Sequence, residues 1–400
     1  MDKSFQSRKR LYVFSASFPY GGAETFLEDE VLFLSKRFKK VVFIPLGNHD
    51  RPRRFIPGNC EVWDDLKKSK SHKLFLGIIG LWRPIGVYLK DAIKRGVFFD
   101  KTKFKTWLFD LVVCSYYMQS PLWKHIKGEI CIDDVVYYYW GHIYNSTAPF
   151  LRGKAKLVSR FHGNGDLWNE NLEEGYIPIR DVLVRSLDAA IFISRKGERF
   201  FKSIHPDCKT VTYHLGTREG GVSKKSSDNI VRVLSCSTVY PLKRVDLIFR
   251  SLNSIDHCFI EWTHIGGGKD LDRLRELSQS AKKHLKVSLL GEMPLDKVLN
   301  YYVNNTIDVF VNLSMNEGVP VSIMEAISFN VPIVAPDVGG ISEIVTPETG
   351  VLLTSNPEPE EVADAIINVT KMELSPKDFW KREFMASKNY EEFSNFLYDL

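Results

Sequence analysis

Cysteine is scarce in this sequence. Six occur in 400 residues, at Cys60, Cys114, Cys131, Cys208, Cys236 and Cys258, no two closer than 17 positions and none in a CxxC pair. That spacing excludes a zinc ribbon, a thioredoxin-type redox pair and a disulfide-stapled fold, and scattered thiols suit a reducing, cytoplasmic setting. Long hydrophobic runs are lacking too. The longest apolar stretch is Leu74–Trp82, against the roughly 20 residues a spanning helix needs. The basic start, Arg8-Lys9-Arg10, leads into an apolar stretch broken at Ser15 and Ser17 and stopped by Pro19-Tyr20-Gly21-Gly22. This predicts a buried strand and turn rather than a signal peptide. No GxGxxG fingerprint, no DxD pair placed to hold a metal and no short-period repeat is present.

The composition, 44% hydrophobic, 26% charged and 12% aromatic, is that of a folded protein, and the length suffices for two cores. The net charge of +5 conceals a polarity. Residues 1–216 carry 35 Lys and Arg against 23 Asp and Glu, and residues 217–400 carry 19 against 26, so a +12 half is joined to a −7 half. Such asymmetry predicts different partners for the two halves.

The first half opens with a strand at Leu11–Ser15, the glycine turn Gly21-Gly22-Ala23, a helix with Phe26, Val31, Leu32, Leu34 and Phe38 at helical spacing, and a second strand at Val41–Pro45. Residues 66–118 are expected to be helical and basic, with strands again at Val135–Tyr139, Leu157–Arg160 and Ala190–Ser194. The polar stretch from Thr217 to Asn229 reads as a linker. Beyond it, strands at Val231–Ser235, Phe259–Ile265, Lys286–Leu290, Val309–Asn312 and Pro332–Ala335 alternate with helices near 244–254, 270–284, 294–303 and 320–329. This alternation predicts an α/β protein: two domains with parallel sheets, a ligand lying at the carboxyl ends of the strands in a cleft between them.

The chemistry is concentrated in Asn312–Leu353. Glu317 and Glu325 stand eight residues apart with Gly318-Val319-Pro320 between them. Pro320 suits the first turn of a helix. Glu317 then lies in the preceding loop and Glu325 inside the helix, and the free backbone N–H groups around Gly318–Val321 would form an anion site reinforced by the helix dipole. A diphosphate fits there, with one carboxylate beside a sugar and the other beside a ribose. The turn Asp337-Val338-Gly339-Gly340 would approach that site closely. On spacing alone, an ordinary strand–loop–helix pair with surface carboxylates is an equal reading.

The segment resembles the E-x7-E signature of the retaining glycosyltransferases of family four, which have the GT-B fold, at Glu317, Glu325, Ala326, Pro332, Gly339, Gly340 and Glu343. Other stretches are similar to that family in the same order: Gly21-Gly22-Ala23-Glu24-Thr25-Phe26 to its N-domain glycine loop, Arg160-Phe161-His162-Gly163 with Asp166-Leu167 to its HG segment, Ser235–Asp246 to its basic donor-phosphate segment, and His264-Ile265-Gly266-Gly267-Gly268 to its strand-end turn. The aromatic-rich Phe379–Leu400 resembles the helix that crosses back onto the N-domain. The resemblance implies an acceptor-binding domain over 1–216, a nucleotide-sugar donor domain over 217–375 and a returning helix over 376–400. It is nearest in character to enzymes of bacterial surface polysaccharides such as exopolysaccharide, capsule or lipopolysaccharide.

By that resemblance Glu325 holds the ribose and Glu317 the donor sugar. Gly318–Val321 with Lys243 hold the diphosphate, Gly266 and Gly267 line the donor pocket, and Gly21 and Gly22 allow a close backbone approach. His162 donates to the sugar or to charge developing at the anomeric carbon; without the family match, a satisfied core histidine is the plainer account. The pattern usually has an Arg five or six residues before the Lys; Thr238 and Ser237 stand there, and Arg244 supplies a second cation, although adjacent helical residues face different ways. Tyr137–Tyr139, Trp140 and Tyr144 form an aromatic cluster that suits a core strand better than a sugar platform. No cofactor and no metal are expected, and the family's front-face course is implied.

Three alternatives stay open: a nucleotide-sugar epimerase on the same fold, a non-catalytic sugar-nucleotide binding protein, and a nicotinamide-dependent oxidoreductase, which lacks its complete glycine fingerprint. The basic excess is concentrated in Arg51–Lys105, with 14 Lys and Arg against five Asp and Glu, interleaved with Leu74–Trp82, Val87-Tyr88-Leu89 and Phe98-Phe99. This reads either as an amphipathic element for an anionic membrane, implying a lipid-linked oligosaccharide or glycan acceptor, or as ordinary helices with solvated lysines. Nucleic acid is not expected as a partner, since no binding motif accompanies the charge.

Overall fold

A computed structural model describes residues 9–22, 24–47, 50–64, 70–142, 145–163, 166–167 and 176–400. Ala23 of the glycine turn, Tyr144 of the aromatic cluster and residues 65–69 of the basic region lie outside the described residues.

The chain forms two compact units. One takes in residues up to 193, then 197–213 and 390–400; the other comprises 194–196 and 214–389. The first contains a seven-stranded sheet built from β1 (Arg10–Ser15), β2 (Lys40–Pro45), β3 (Cys60–Val62), β4 (Val135–Tyr138), β5 (Lys156–Phe161), β6 (Ala189–Phe192) and β7 (Thr210–Thr212), in the order β3-β2-β1-β4-β5-β6-β7. The second contains β8 (Ile230–Cys236), β9 (Phe259–Ile265), β10 (Leu285–Gly291), β11 (Val309–Val311), β12 (Ile333–Pro336) and β13 (Gly350–Leu353), in the order β10-β9-β8-β11-β12-β13. Every pairing between these strands is parallel.

The continuous apolar runs of the strands follow from burial on both faces. In β1, Leu11 and Val13 enter one core with Val41, Phe43 and Val135, whereas Tyr12 and Phe14 enter another with Val42, Ile44 and Val136. Alternate residues thus feed cores on opposite sides of one sheet. The α/β class with two Rossmann-like parallel-sheet units is the one the sequence predicts.

Local differences have physical causes. The polar stretch after Thr217 is pinned along the second unit rather than swinging free: Thr217 N–H donates to Phe384 O (3.0 Å), Ser223 N–H to Phe329 O (2.9 Å) and Lys377 Nζ to Gly220 O (2.9 Å). The chain end forms two helices, Pro376–Glu383 and Ala386–Asp399. The former stays with the second unit, where Trp380 Nε1 donates to Thr217 Oγ1 (2.9 Å). From Tyr390 onward the latter belongs to the first, its Phe393 and Leu397 buried with Leu11 and Val13. The helix expected over 270–284 stops at Ser278, and Lys282 N–H turns to Asn253 Oδ1 (2.8 Å).

Candidate functional site

In the second sheet the strand order reverses between β8 and β11, which are hydrogen-bonded neighbours. At such a switch point the loops leaving the two strands diverge and open a crevice at their carboxyl ends. The loop after β8 carries Lys243 and Arg244, and the loop after β11 carries Glu317 and Gly318. Topology therefore brings together residues more than seventy positions apart in sequence.

Three contacts tie these loops. Lys243 Nζ donates to Glu317 Oε1 in a short ion pair whose side chains are both largely buried. Met315 N–H donates to Leu242 O (2.8 Å). Arg244 Nε donates to Leu313 O (2.6 Å) and its Nη1 to Asn356 Oδ1 (2.8 Å). Arg244 is itself left-handed (φ 47°) where the turn Pro241–Lys243 passes into helix Val245–Ser254. Of the two adjacent cations, Lys243 faces Glu317 and Arg244 buttresses the loop backbone.

Gly339 and Gly340 fix the other side of this loop. Gly339 has φ +54°, and a Cβ on it would stand 1.6 Å from Glu317 O. Gly340 N–H donates to Gly318 O (2.8 Å). No side chain can enter that contact without moving the backbone that bears Glu317.

Helix Val321–Ser328 starts directly after the loop, with Pro320 as its N-cap (φ −69°, ψ 126°) rather than its first residue. Proline has no N–H, so Pro320 shapes the cradle without donating to it. Ile323 and Met324 N–H both reach the Pro320 carbonyl at 3.2 Å. Among the described residues, the N–H groups of Gly318, Val319, Val321 and Ser322 have no hydrogen-bond acceptor. These free donors, the positive end of the helix dipole and the Lys243 ammonium make an anion-binding arrangement.

Glu325 lies one helical turn deeper. Burial pushes its carboxyl up to about 7. Cys236 is close enough for the Glu325 charge to add to the burial that pushes the thiol to about 12, and Tyr302 lies within the same field.

Gly266 and Gly267 close a second strand–helix turn beside β8. A Cβ on Gly266 (φ +149°) would meet Ser237 O at 1.8 Å, while Val239 N–H donates to Gly267 O (2.7 Å). His264, buried on β9, fixes the same turn. Its Nε2 lies 3.1 Å from Ser237 O, a carbonyl that can only accept, so Nε2 carries the proton. Nδ1 then accepts from Ser235 Oγ (2.8 Å), which accepts in turn from Trp262 Nε1 (2.9 Å). Burial pulls His264 down to about 4, so the ring stays neutral.

Gly21, Gly22 and His162 belong to the first unit: the glycines lie on the loop after β1, at that sheet's own reversal between β1 and β4, and His162 on the loop after β5, one strand further along. Gly21 is left-handed (φ +69°) and its N–H donates to Pro52 O (3.1 Å); the space around Gly22 is open. Glu24, part of the glycine-loop motif but given no role by the sequence, holds this turn together. Its carboxylate accepts the N–H groups of Ala16 (2.8 Å), Ser17 (2.7 Å) and Phe18 (2.7 Å), together with Trp140 Nε1 (2.7 Å). Trp140 packs on His162 with ring centroids 4.5 Å apart. Asp166 accepts His162 N–H (3.0 Å). His162 Nε2 is engaged with Tyr139 O (2.9 Å), and burial pulls the ring down to about 4. A neutral ring so placed offers Nδ1 as an acceptor, whereas the sequence suggests a donor. Tyr137, Tyr138 and Tyr139 are fully buried. Among the described residues, no three His, Cys, Asp or Glu side chains converge as metal ligands would.

Residues 223–384 match the family of glycosyl transferases, group 1. That match supports a glycosyltransferase, and it spans the whole Lys243–Glu317–Gly340 arrangement. The Saccharomyces cerevisiae phosphatidylinositol N-acetylglucosaminyltransferase GPI3 subunit is 27% identical over 149 residues, 37% of this chain and 32% of that protein. The aligned region is thus about a third of the curated relative. Two solved structures align almost end to end: the Anabaena protein HepE in complex with UDP, at 16% identity and TM-score 0.65 over 98% of this chain and 100% of that one, and the lipopolysaccharide outer core galactosyltransferase WaaB, at 13% identity and TM-score 0.65 over 98% and 99%. At these identities the likeness establishes the fold, which is GT-B.

Proposed function

We propose that the protein is a retaining, hexosyl-type glycosyltransferase that moves a sugar from a nucleotide-diphosphate donor to a glycan or lipid-linked acceptor. The observation that carries this reading is the Lys243–Glu317 ion pair beside the N–H groups of Gly318, Val319, Val321 and Ser322, which meet no acceptor among the described residues. In the free protein Lys243 and Glu317 neutralise each other. A diphosphate arriving at the helix end draws the Lys243 ammonium to its oxygens and releases the Glu317 carboxylate to accept from donor-sugar hydroxyls. Glu325 binds the ribose hydroxyls, while Gly266 and Gly267 keep the neighbouring turn close. Arg244 is a positioning residue that holds the loop in shape.

Leaving-group charge then falls on Lys243 and preorganised backbone donors, the kind of stabilisation that contributes most when it needs no rearrangement. The acceptor hydroxyl attacks on the face that the diphosphate leaves, and a leaving phosphate oxygen takes its proton. His162 Nδ1 accepts from a sugar hydroxyl. No cofactor is invoked. The complex of HepE with UDP supports a nucleotide donor. The names of two relatives point to acceptors built on lipid, phosphatidylinositol in one and lipopolysaccharide in the other. The acceptor class proposed therefore covers phosphatidylinositol-type lipids as well as surface polysaccharide, with contact to an anionic membrane through the basic region of 51–105.

With a matched donor and acceptor, Glu317→Ala should lower kcat by roughly a hundredfold or more, as loss of one preorganised charge contact does. Transfer at the parental rate would place the chemistry elsewhere. Release of free nucleoside diphosphate only when acceptor is present separates transfer from epimerisation, and donor binding without turnover on any acceptor would favour a binding protein.

A further inference from the structure

One face of the first unit is apolar, exposed and unused by the chemistry above. Helix Lys70–Ile79 packs on helix Lys101–Gln119 through two glycines: a Cβ on Gly77 would stand 2.7 Å from Val112, and one on Gly80 would stand 2.9 Å from Ser115 O. The side of the first helix turned away from this contact is expected to be polar. Instead Phe75, Ile78, Ile79 and Trp82 follow one another at i, i+3, i+4 and i+7, all exposed, with Trp82 at 69%. On the second helix, Phe109 sits one turn before Val112 on the same face and is 72% exposed. The short turn Val97–Phe99 exposes further apolar side chains: Phe98 touches Phe104 with centroids 6.3 Å apart, and Phe99 is 96% exposed. Large apolar side chains left exposed on packed neighbouring helices in this number mark an interaction site.

Charge selects the partner. Between Lys70 and Lys105 there are nine Lys and Arg and only two acids. Both acids are spent internally: Asp91 accepts from Tyr176, and Asp100 caps the helix by accepting Thr102 N–H (2.8 Å) and Lys103 N–H (3.0 Å). Lys94 and Arg95 are paired with Asp181. Lys90, Lys101 and Lys105 are exposed and, among the described residues, meet no carboxylate. A second copy of this face would bring like charges together, whereas a surface of lipid phosphates complements it. Among the described residues no helix is long and apolar enough to cross a membrane.

We propose that this face docks on an anionic lipid bilayer, with Phe75, Ile78, Trp82, Phe99 and Phe109 entering the acyl boundary while Lys90, Lys101 and Lys105 meet lipid phosphates. The surface lies over the three helical segments of 75–109. Arg54 is no part of it, since its guanidinium is turned to Glu28 (2.7 Å). Docking does not depend on sugar transfer, so Glu317→Ala should bind lipid as the parent does.

The test is flotation of the full chain with vesicles of phosphatidylcholine alone and with about a third phosphatidylglycerol. The parent should float with the anionic vesicles and roughly tenfold less with the neutral ones. Ile78→Glu with Phe109→Glu, and separately Lys101→Glu with Lys105→Glu, should each cut the bound fraction about tenfold at unchanged far-UV dichroism. If the apolar pair fails to fold, Phe99→Ser, at an almost fully exposed position, replaces it with the same expected direction. Flotation that ignores lipid charge, variants that bind as the parent does, or a parent that ignores vesicles while self-associating through this face would each overturn the proposal.

Discussion

The burial of Glu325 makes a prediction about stability that can be worked through quantitatively. In the unfolded chain its carboxyl titrates near 4.5; in the folded protein burial raises it to about 7. Below the unfolded value both states hold the proton and the group contributes nothing to the pH dependence. As pH rises from 4.5 toward 7 the unfolded state ionises while the folded state stays protonated, so the folded state loses about 1.4 kcal/mol per pH unit. The shift of about 2.5 units amounts to roughly 3 kcal/mol, present in full above pH 7. Glu325→Gln is neutral and nearly isosteric, and escapes this cost. Urea unfolding of both proteins between pH 4 and 8, following the transition of the second unit, should show the variant gaining stability relative to the parent by roughly 3 kcal/mol across that range. A stability difference that stays flat with pH would refute the reasoning, because it would mean that the carboxyl is solvated or already charged. Ribose hydroxyls donating to an ionised Glu325 should also make donor affinity rise as pH approaches 7.

Two further predictions follow from the loops. Gly339→Ala puts a Cβ where Glu317 O stands and forces a left-handed backbone on alanine, at a cost of roughly 2 kcal/mol or more, and should weaken nucleotide binding as the Glu317 loop shifts. Gly22→Ala, in open space, should leave the Tm almost unchanged, and thermal unfolding of the two variants makes the comparison. For His162, the value near 4 produced by burial means a ring that stays neutral from pH 8 down to about 5. A proton-NMR titration midpoint near the ordinary imidazole value would show that the ring is wetter than its contacts with Tyr139 and Trp140 imply.

Much of the architecture was legible because strands buried on both faces leave continuous apolar runs, as in Val41–Pro45 and Val135–Tyr138, and because helices leave a distinct period. Short strands such as β3, β7 and β13 were missed: three or four residues carry too little pattern to outweigh their polar flanks. The acidic pair and the glycines around it were legible as a motif, but not the reason for them. Nothing in the spacing of Gly339 shows that Glu317 O lies where its side chain would be. Nor does the sequence reveal that Glu24 gathers three backbone N–H groups and an indole, since any carboxylate beside a glycine turn looks alike before the chain closes on it. The sequence suggests a donor at His162 because the group that engages Nε2, the Tyr139 carbonyl, is a backbone atom that no residue code displays.

By itself the sequence determined the alternation of strand and helix, the absence of a long apolar run, the candidate acids and cations, and the charge difference between the halves, all properties of local pattern and composition. Tertiary structure decided which groups face one another. Lys243 reaches Glu317 and Arg244 turns to Leu313 because a left-handed residue separates the directions of two neighbouring side chains. Phe99 and Phe109 are exposed, although hydrophobicity alone would have assigned them to a core, because exposure depends on what packs over a face, and helix Lys70–Ile79 packs on its neighbour through its glycines.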